Sequence, residues 1–277
     1  MERCFGPRRE NESEVHSFSM KEMLLKNLAK YPLCDFFLRK CVESMSDKQV
    51  ADDLAMEPDV SLLQHFDKPA QMGLLEEIFA RTMITFGLSE EELKAEAEFN
   101  FDVYNMKGFE SARAVFRLAN ALSEVGFSQF TFLRDEGLAD LAARKDNQRW
   151  FIEVKTLVFQ TKPQEFEIEG MVEVFSVDKF QPDTCNIADY IERIFRQIAG
   201  NPIEKARQQL LQTARMKGDA KKMVAIVVNL LAAGFFLEAD NLRHLEAYLR
   251  GRVNGLEKDY LLGIDALAFL TNQLYLF

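Results

Sequence analysis

From Ser19 to about Leu93 the apolar residues recur at spacings of three and four, the period of an amphipathic helix. The pattern predicts helices near Met20–Ala29, Cys34–Ser44 and Asp47–Ala55. Pro32, Pro58 and Pro69 punctuate them, because proline lacks the N–H that a helix interior needs. Ser46-Asp47-Lys48-Gln49 and Ser89-Glu90-Glu91-Glu92 read as helix starts. In each, a serine oxygen can accept a backbone N–H three residues on while the Gln or Glu side chain reaches back. Residues 1–18 are polar and read as a poorly ordered lead.

The pattern changes after Phe99. Asn105 to Val125 reads as one long helix with Phe109, Ala112, Val115, Phe116, Ala119 and Leu122 on its apolar stripe, and Gly126 as its stop. Strand-like runs follow at Phe127–Leu133, Leu138–Ala143 and Arg149–Leu157. Residues 158–183 form an acidic connection with strand-like pieces over Glu165–Val177. Helices return from Ile187 to Lys217, broken near Gly200-Asn201-Pro202, with Pro202 suited to a first helical turn. Lys222–Leu230 reads as a buried strand, Asp240–Arg250 as a helix, and Ile264–Phe277 as one or two terminal strands. Helix, three strands, helix, strand is the order of an α/β or α+β fold: a mixed sheet flanked by helices. The division expected is an all-helical region over 1–100 and a sheet-containing domain over 101–277.

Composition narrows the class. The chain has 277 residues, 48% of them hydrophobic and 28% charged, so it can bury a core without disulfides. Cys4, Cys34, Cys41 and Cys185 have no zinc or CxxC spacing and read as reduced thiols. No leader pattern opens the chain, and the longest apolar run, Met223 to Leu237, is too short to span a bilayer. The expectation is a cytoplasmic protein without a membrane partner. Net charge is −10, and residues 1–100 hold 12 basic against 20 acidic side chains, so most of the acidity lies in front. Such a chain does not suit a passive nucleic-acid coat, but an enzyme with a local basic groove remains open.

The chemistry concentrates in Leu138 to Lys155. Lys145 to Gln148 has the composition of a tight turn. With Asp146-Asn147 as a two-residue loop, Lys145 faces Gln148, and the same register sets Asp140 opposite Glu153 on one face. Lys155 follows two residues later on that face, while Ile152, Val154 and Thr156 point the other way. Two acids and an ammonium break the apolar pattern of these strands, and such breaks tend to mark function. Paired carboxylates suit a hard divalent cation that keeps some of its waters. The bland alternative is an exposed cross-strand charge cluster on a half-wet sheet.

An Asp, a hairpin and then Glu153-Val154-Lys155 resembles the PD-(D/E)xK nuclease superfamily, whose fold is restriction-endonuclease-like. Ala139 stands where that family often has proline. The resemblance covers roughly residues 105–232. It implies a metal-dependent endonuclease, a hydrolase of phosphodiester bonds, acting on DNA and using Mg²⁺ or Mn²⁺. Asp140, Glu153 and the backbone carbonyl of Val154 would ligate the ion. Lys155 would orient or help deprotonate the attacking water. Glu110 would hold a metal-bound water or a second ion, and Gln209, with Gln208 as its neighbour, would touch phosphate or support the site.

Other features admit two readings each. Arg193, Arg196, Lys205, Arg207, Arg215, Lys217, Lys221 and Lys222 either track a phosphate backbone or form a solvated helix face. Arg144, Lys145 and Arg149 at the hairpin tip either touch nucleic acid or, the better reading, simply solvate the turn. Phe130, Phe132 and Trp150 suit core packing better than base stacking. His16, His65 and His244 do not cluster, and no Walker A or GxGxxG sequence occurs. The 158–183 insertion is either a lid or a sheet extension, and the front region suits a homodimer contact or a scaffold. A nuclease-fold module that binds protein or nucleic acid without cutting is the competing function.

Overall fold

The computed structural model describes residues 19–55, 68–97, 106–135, 137–158, 165–168, 171–174, 201–229, 262–270 and 274–276. The expected polar lead, the turn at Pro58, the helix over Asp240–Arg250, all three histidines, Cys4 and Cys185 lie outside them, as do Arg193, Arg196 and most of the 158–183 insertion.

Among the described residues five helices come first: α1 (Met20–Leu28), α2 (Pro32–Ser44), α3 (Asp47–Ala55), α4 (Pro69–Phe86) and α5 (Glu90–Glu96). Ser19 and Ser89 cap α1 and α5, each with a reciprocal glutamate three residues on. The second helix begins at Pro32, two residues before the expected Cys34, because proline fits the first helical position, where no N–H is needed. Tyr31 offers no side-chain cap there. Glu76 on α4 supplies it instead, accepting the N–H groups of Leu33 (3.0 Å) and Cys34 (2.9 Å). Burial and the Glu76 charge push the Cys34 thiol up, so it stays protonated and inert; Cys34 and Cys41 are both free and buried.

The sheet half follows: α6 (Met106–Glu124), β1 (Ser128–Phe132), β2 (Leu141–Lys145), β3 (Gln148–Val158), β4 (Glu165–Ile168), β5 (Met171–Val174), α7 (Asn201–Lys217), β6 (Lys221–Asn229), β7 (Ala266–Leu270) and β8 (Leu274–Leu276). Six strands form one mixed sheet in the order β1-β2-β3-β6-β7-β8, and β4 pairs with β5 in a separate hairpin. The β3–β6 and β6–β7 pairs are parallel; β1–β2, β2–β3 and β7–β8 are antiparallel. The fold is thus mixed α/β. Among the described residues no helix is long and apolar enough to cross a membrane.

Helix α6 is buried on two sides rather than along one stripe. Phe109 and Phe116 join Phe37, Leu38, Met72 and Phe79 in the helical core, where Phe37 stacks on Phe79 with ring centroids 4.4 Å apart. Ala114, Leu118 and Leu122 pack on Leu141, Ile152, Val154 and Ala225 of the sheet. Asn120 ties α6 to α4 by donating to the Ile78 carbonyl (3.2 Å) and to Thr82 Oγ1 (3.1 Å). Phe86 at the end of α4 stacks on Phe132 of β1 at 4.4 Å. Phe130, Phe132 and Trp150 all pack in these cores.

The Glu76 cap gives a direct check. Glu76→Ala strands two N–H groups at the start of α2, with an expected loss of about 1–2 kcal/mol in a denaturant titration. Glu76→Gln, which keeps one acceptor, should lose less.

Candidate metal centre

The centre begins with a turn. Asp146 (φ 51°) and Asn147 (φ 60°) both occupy the left-handed region, as a two-residue hairpin loop demands and as Asn and Asp tolerate best. That loop pairs Lys145 with Gln148 and carries the register back to Leu141 opposite Ile152. This is the register expected from the sequence. The strand itself starts later than expected, at Leu141 rather than Leu138, so Asp140 lies in a bend just outside β2.

The reason is local. The Asp140 carbonyl accepts Leu133 N–H (2.9 Å), and Ala139 N–H donates to Thr213 Oγ1 (2.8 Å) on α7, so neither group serves a β2–β3 ladder. Asp140 instead uses its side chain: Oδ2 accepts the Val154 N–H at 2.7 Å, standing in for the missing strand carbonyl. The N–H and C=O of one strand residue point the same way. The Val154 carbonyl therefore faces the same gap beyond the end of β2.

Glu153 projects to the α7 side of the sheet and is 2% exposed, which excludes the half-wet charge cluster as its setting. Its Oε1 lies 2.5 Å from Lys155 Nζ. Its Oε2 is buried and receives no hydrogen bond. Lys155 Nζ also donates to Gln209 Oε1 (2.9 Å), and Gln209 Nε2 donates to the Leu138 carbonyl (3.4 Å). The lysine side chain is 27% exposed, and these two bonds use two of its three N–H donors. Asp140, Glu153, Lys155 and Gln209 thus converge. Gln208 turns away and donates to Glu204 Oε1 at 3.0 Å.

Glu110 has a different partner. It is fully buried on α6, and its Oε2 accepts from Arg113 Nη2 (2.6 Å) and Nε (3.2 Å), one helical turn away. Among the described residues no group of three His, Cys, Asp or Glu side chains forms a metal cage, so Glu110 does not complete one with Asp140 and Glu153. Arg117 belongs to the same stripe. Burial, and then repulsion from Arg113, push its guanidinium down to about 10, with Glu110 opposing.

The electrostatics of the acid pair are those of an uncompensated site. Burial above all, then the Asp140 charge, push Glu153 up to about 8 despite Lys155. Burial also raises Asp140, against the Val154 N–H and Lys155, which lower it. The two carboxyl groups are close enough for one proton to bridge them. With both ionised, neither supplies that proton, and Glu153 Oε2 has no donor. Glu153 therefore has one oxygen on Lys155 and one without a donor, and Asp140 Oδ2 is held by the Val154 N–H. That donor set, with the adjacent Val154 carbonyl, fits a hard divalent cation.

Sequence reasoning did not find the residues that hold Asp140 in place. Gly137 has φ 78°, and a Cβ there would lie 3.5 Å from Gln212 Nε2. Thr213, fully buried, bonds Ala139 and the Gln209 carbonyl. The available signal was spacing: Gln209, Gln212 and Thr213 share one face of α7. The basic residues are mostly engaged. Arg207 pairs with Glu204, Lys217 with Asp135, Lys221 with Asp265 and Lys222 with Asp219. Arg149 donates to the Lys217 carbonyl and lies over the Phe151 ring, and Lys145 lies over Phe127.

Glu153 makes the fold pH-dependent. Below the ordinary carboxylate range it is neutral folded and unfolded, and costs nothing. As pH rises towards about 8 only the unfolded chain ionises, so stability falls, and above 8 the full cost stands. In chelator, Glu153→Gln should therefore melt higher than wild type at pH 8, by about 1–3 kcal/mol, with the gap closing near pH 5. A gap independent of pH would contradict this origin.

No protein-family model, no curated protein and no solved structure matches this chain.

Proposed function

We propose that the chain is a metal-dependent nuclease with a restriction-endonuclease-like core, hydrolysing phosphodiester bonds, most naturally in DNA. The observation that carries the reading is Glu153: a glutamate 2% exposed, with one oxygen on Lys155, the other without a donor, and Asp140 beside it. Proteins seldom keep an ionisable pair in such a setting without a use for it. Helix α6, the sheet strands β1–β3, helix α7 and a parallel β6, with the β4–β5 hairpin between β3 and α7, support the fold assignment.

In this reading Asp140, Glu153 and the Val154 carbonyl hold Mg²⁺ or Mn²⁺. The ion would supply Lewis acidity and lower the pKa of a bound water. The chain's own groups do the rest. Two carboxylates repel a phosphodiester, so the substrate approaches only once their charge is offset. Lys155 is anchored by Glu153 Oε1 and Gln209 Oε1, and its remaining N–H orients the attacking water or a phosphate oxygen. Gln209 fixes the lysine and binds the Leu138 carbonyl, so it acts on the geometry of both arms. Glu110 Oε2 accepts from Arg113, and a role for Glu110 at a metal-bound water rests on the resemblance alone.

The chain's −10 charge favours the competing reading, a module that binds a partner without cutting. Incubation with supercoiled plasmid, single-stranded DNA and RNA in Mg²⁺ or Mn²⁺ separates the two. Cleavage by wild type should fall by about 100-fold or more in Asp140→Ala and in Lys155→Ala. Equal background in all three proteins would leave the binding module standing.

A further inference from the structure

We propose that Thr213 is the positioning residue that places Asp140 for its task, an assignment that rests on the nuclease reading above. Thr213 sits in α7 one turn after Gln209 and is fully buried. Its neighbours along the buried face, Ile203, Ala206 and Leu210, are apolar, so packing alone would be served by valine. The hydroxyl is used twice. Its proton goes to the Gln209 carbonyl at 2.7 Å, which leaves the oxygen lone pairs to accept Ala139 N–H at 2.8 Å.

That second bond pins the chain on one side of Asp140, and the bond from Leu133 N–H to the Asp140 carbonyl pins it on the other. With the Leu138–Ala139 and Asp140–Leu141 peptide groups held on either side, the chain through Asp140 is restrained where Oδ2 accepts the Val154 N–H. The same turn of α7 carries Gln209, which holds Lys155. One threonine oxygen thus references the metal-binding acid and the lysine to a single helical turn. Two residues before Ala139, Gly137 has φ 78° and lies beside Gln212, where a Cβ would come 3.5 Å from Nε2.

Thr213→Val keeps the shape and removes the hydroxyl; Thr213→Ser keeps the hydroxyl and loses a methyl. Two measurements on the full chain decide the matter, both well below the melting temperature. The first is residue-resolved amide exchange in chelator, comparing Val154 with Val224 and Ile226 of β6. The second is Mn²⁺ affinity without nucleic acid. In the valine variant Val154 exchange should rise by about tenfold more than the β6 amides, and Mn²⁺ should bind about tenfold more weakly. The serine variant should restore both. A valine variant that melts lower, but in which Val154 and the β6 amides accelerate equally and Mn²⁺ affinity holds, overturns the proposal. If wild type binds no Mn²⁺ while Val154 still responds selectively, the nuclease reading fails, and Thr213 keeps its role in placing Asp140.

Discussion

The arrangement depends on a carboxylate being kept where water would not leave it unaided. Glu153 lies in the middle of an interior strand, under a helix, next to a second acid. Burial and the Asp140 charge oppose its ionisation, and the single Lys155 contact does not offset them. A sequence selected for stability alone would place an apolar residue here, as at Phe151 on the same face. Everything else near the site can be understood as holding this unfavourable group in one geometry. The hairpin turn sets its register, Asp140 faces it, and Lys155 takes one of its oxygens.

Helix α7 is the second organising element. Its apolar residues cover the sheet face that carries Glu153, while Gln209, Gln212 and Thr213 hold the chain entering β2. The β2 strand ends at Leu141 and β3 runs on to Val158, so β3 loses its β2 neighbour at the point where the acids meet. The gap left by the shortened strand is what exposes a backbone carbonyl beside the carboxylates. A longer β2 would pair Val154 and close it. The bonds that stop β2 early therefore make the site as much as the acids do.

Which parts were legible in the sequence follows from how local each cause is. The Asp146-Asn147 turn and the β2–β3 register were readable because turn chemistry and two-residue alternation act over a few positions. The same holds for the capped helices and for α3, expected and found over Asp47–Ala55. The start of β2 was not readable, because Leu133 and Thr213 set it, the latter 74 residues away from Ala139. The Glu110–Arg113 pair was visible in principle, since an acid and a base three apart on a helix face each other. Family resemblance drew attention to Glu110 and away from its neighbour. The burial of Glu153 needed α7 above it, which no strand pattern contains.

Net charge bears on function less than its size suggests. The front hundred residues carry the larger share of the −10, and ionic screening confines such a field to about 8–10 Å in physiological salt. The site has its own balance: two acids, one lysine and a helix whose basic side chains are largely paired with Glu204, Asp135, Asp265 and Asp219. Once Glu153 ionises, above about pH 8, that balance is negative and opposes an anionic substrate, and a bound divalent cation would reverse the sign locally. Acidity in the protein as a whole is then compatible with a polyanionic substrate, provided the ion arrives first. The two carboxylates that would repel the substrate are the ones that would recruit the charge needed to offset them.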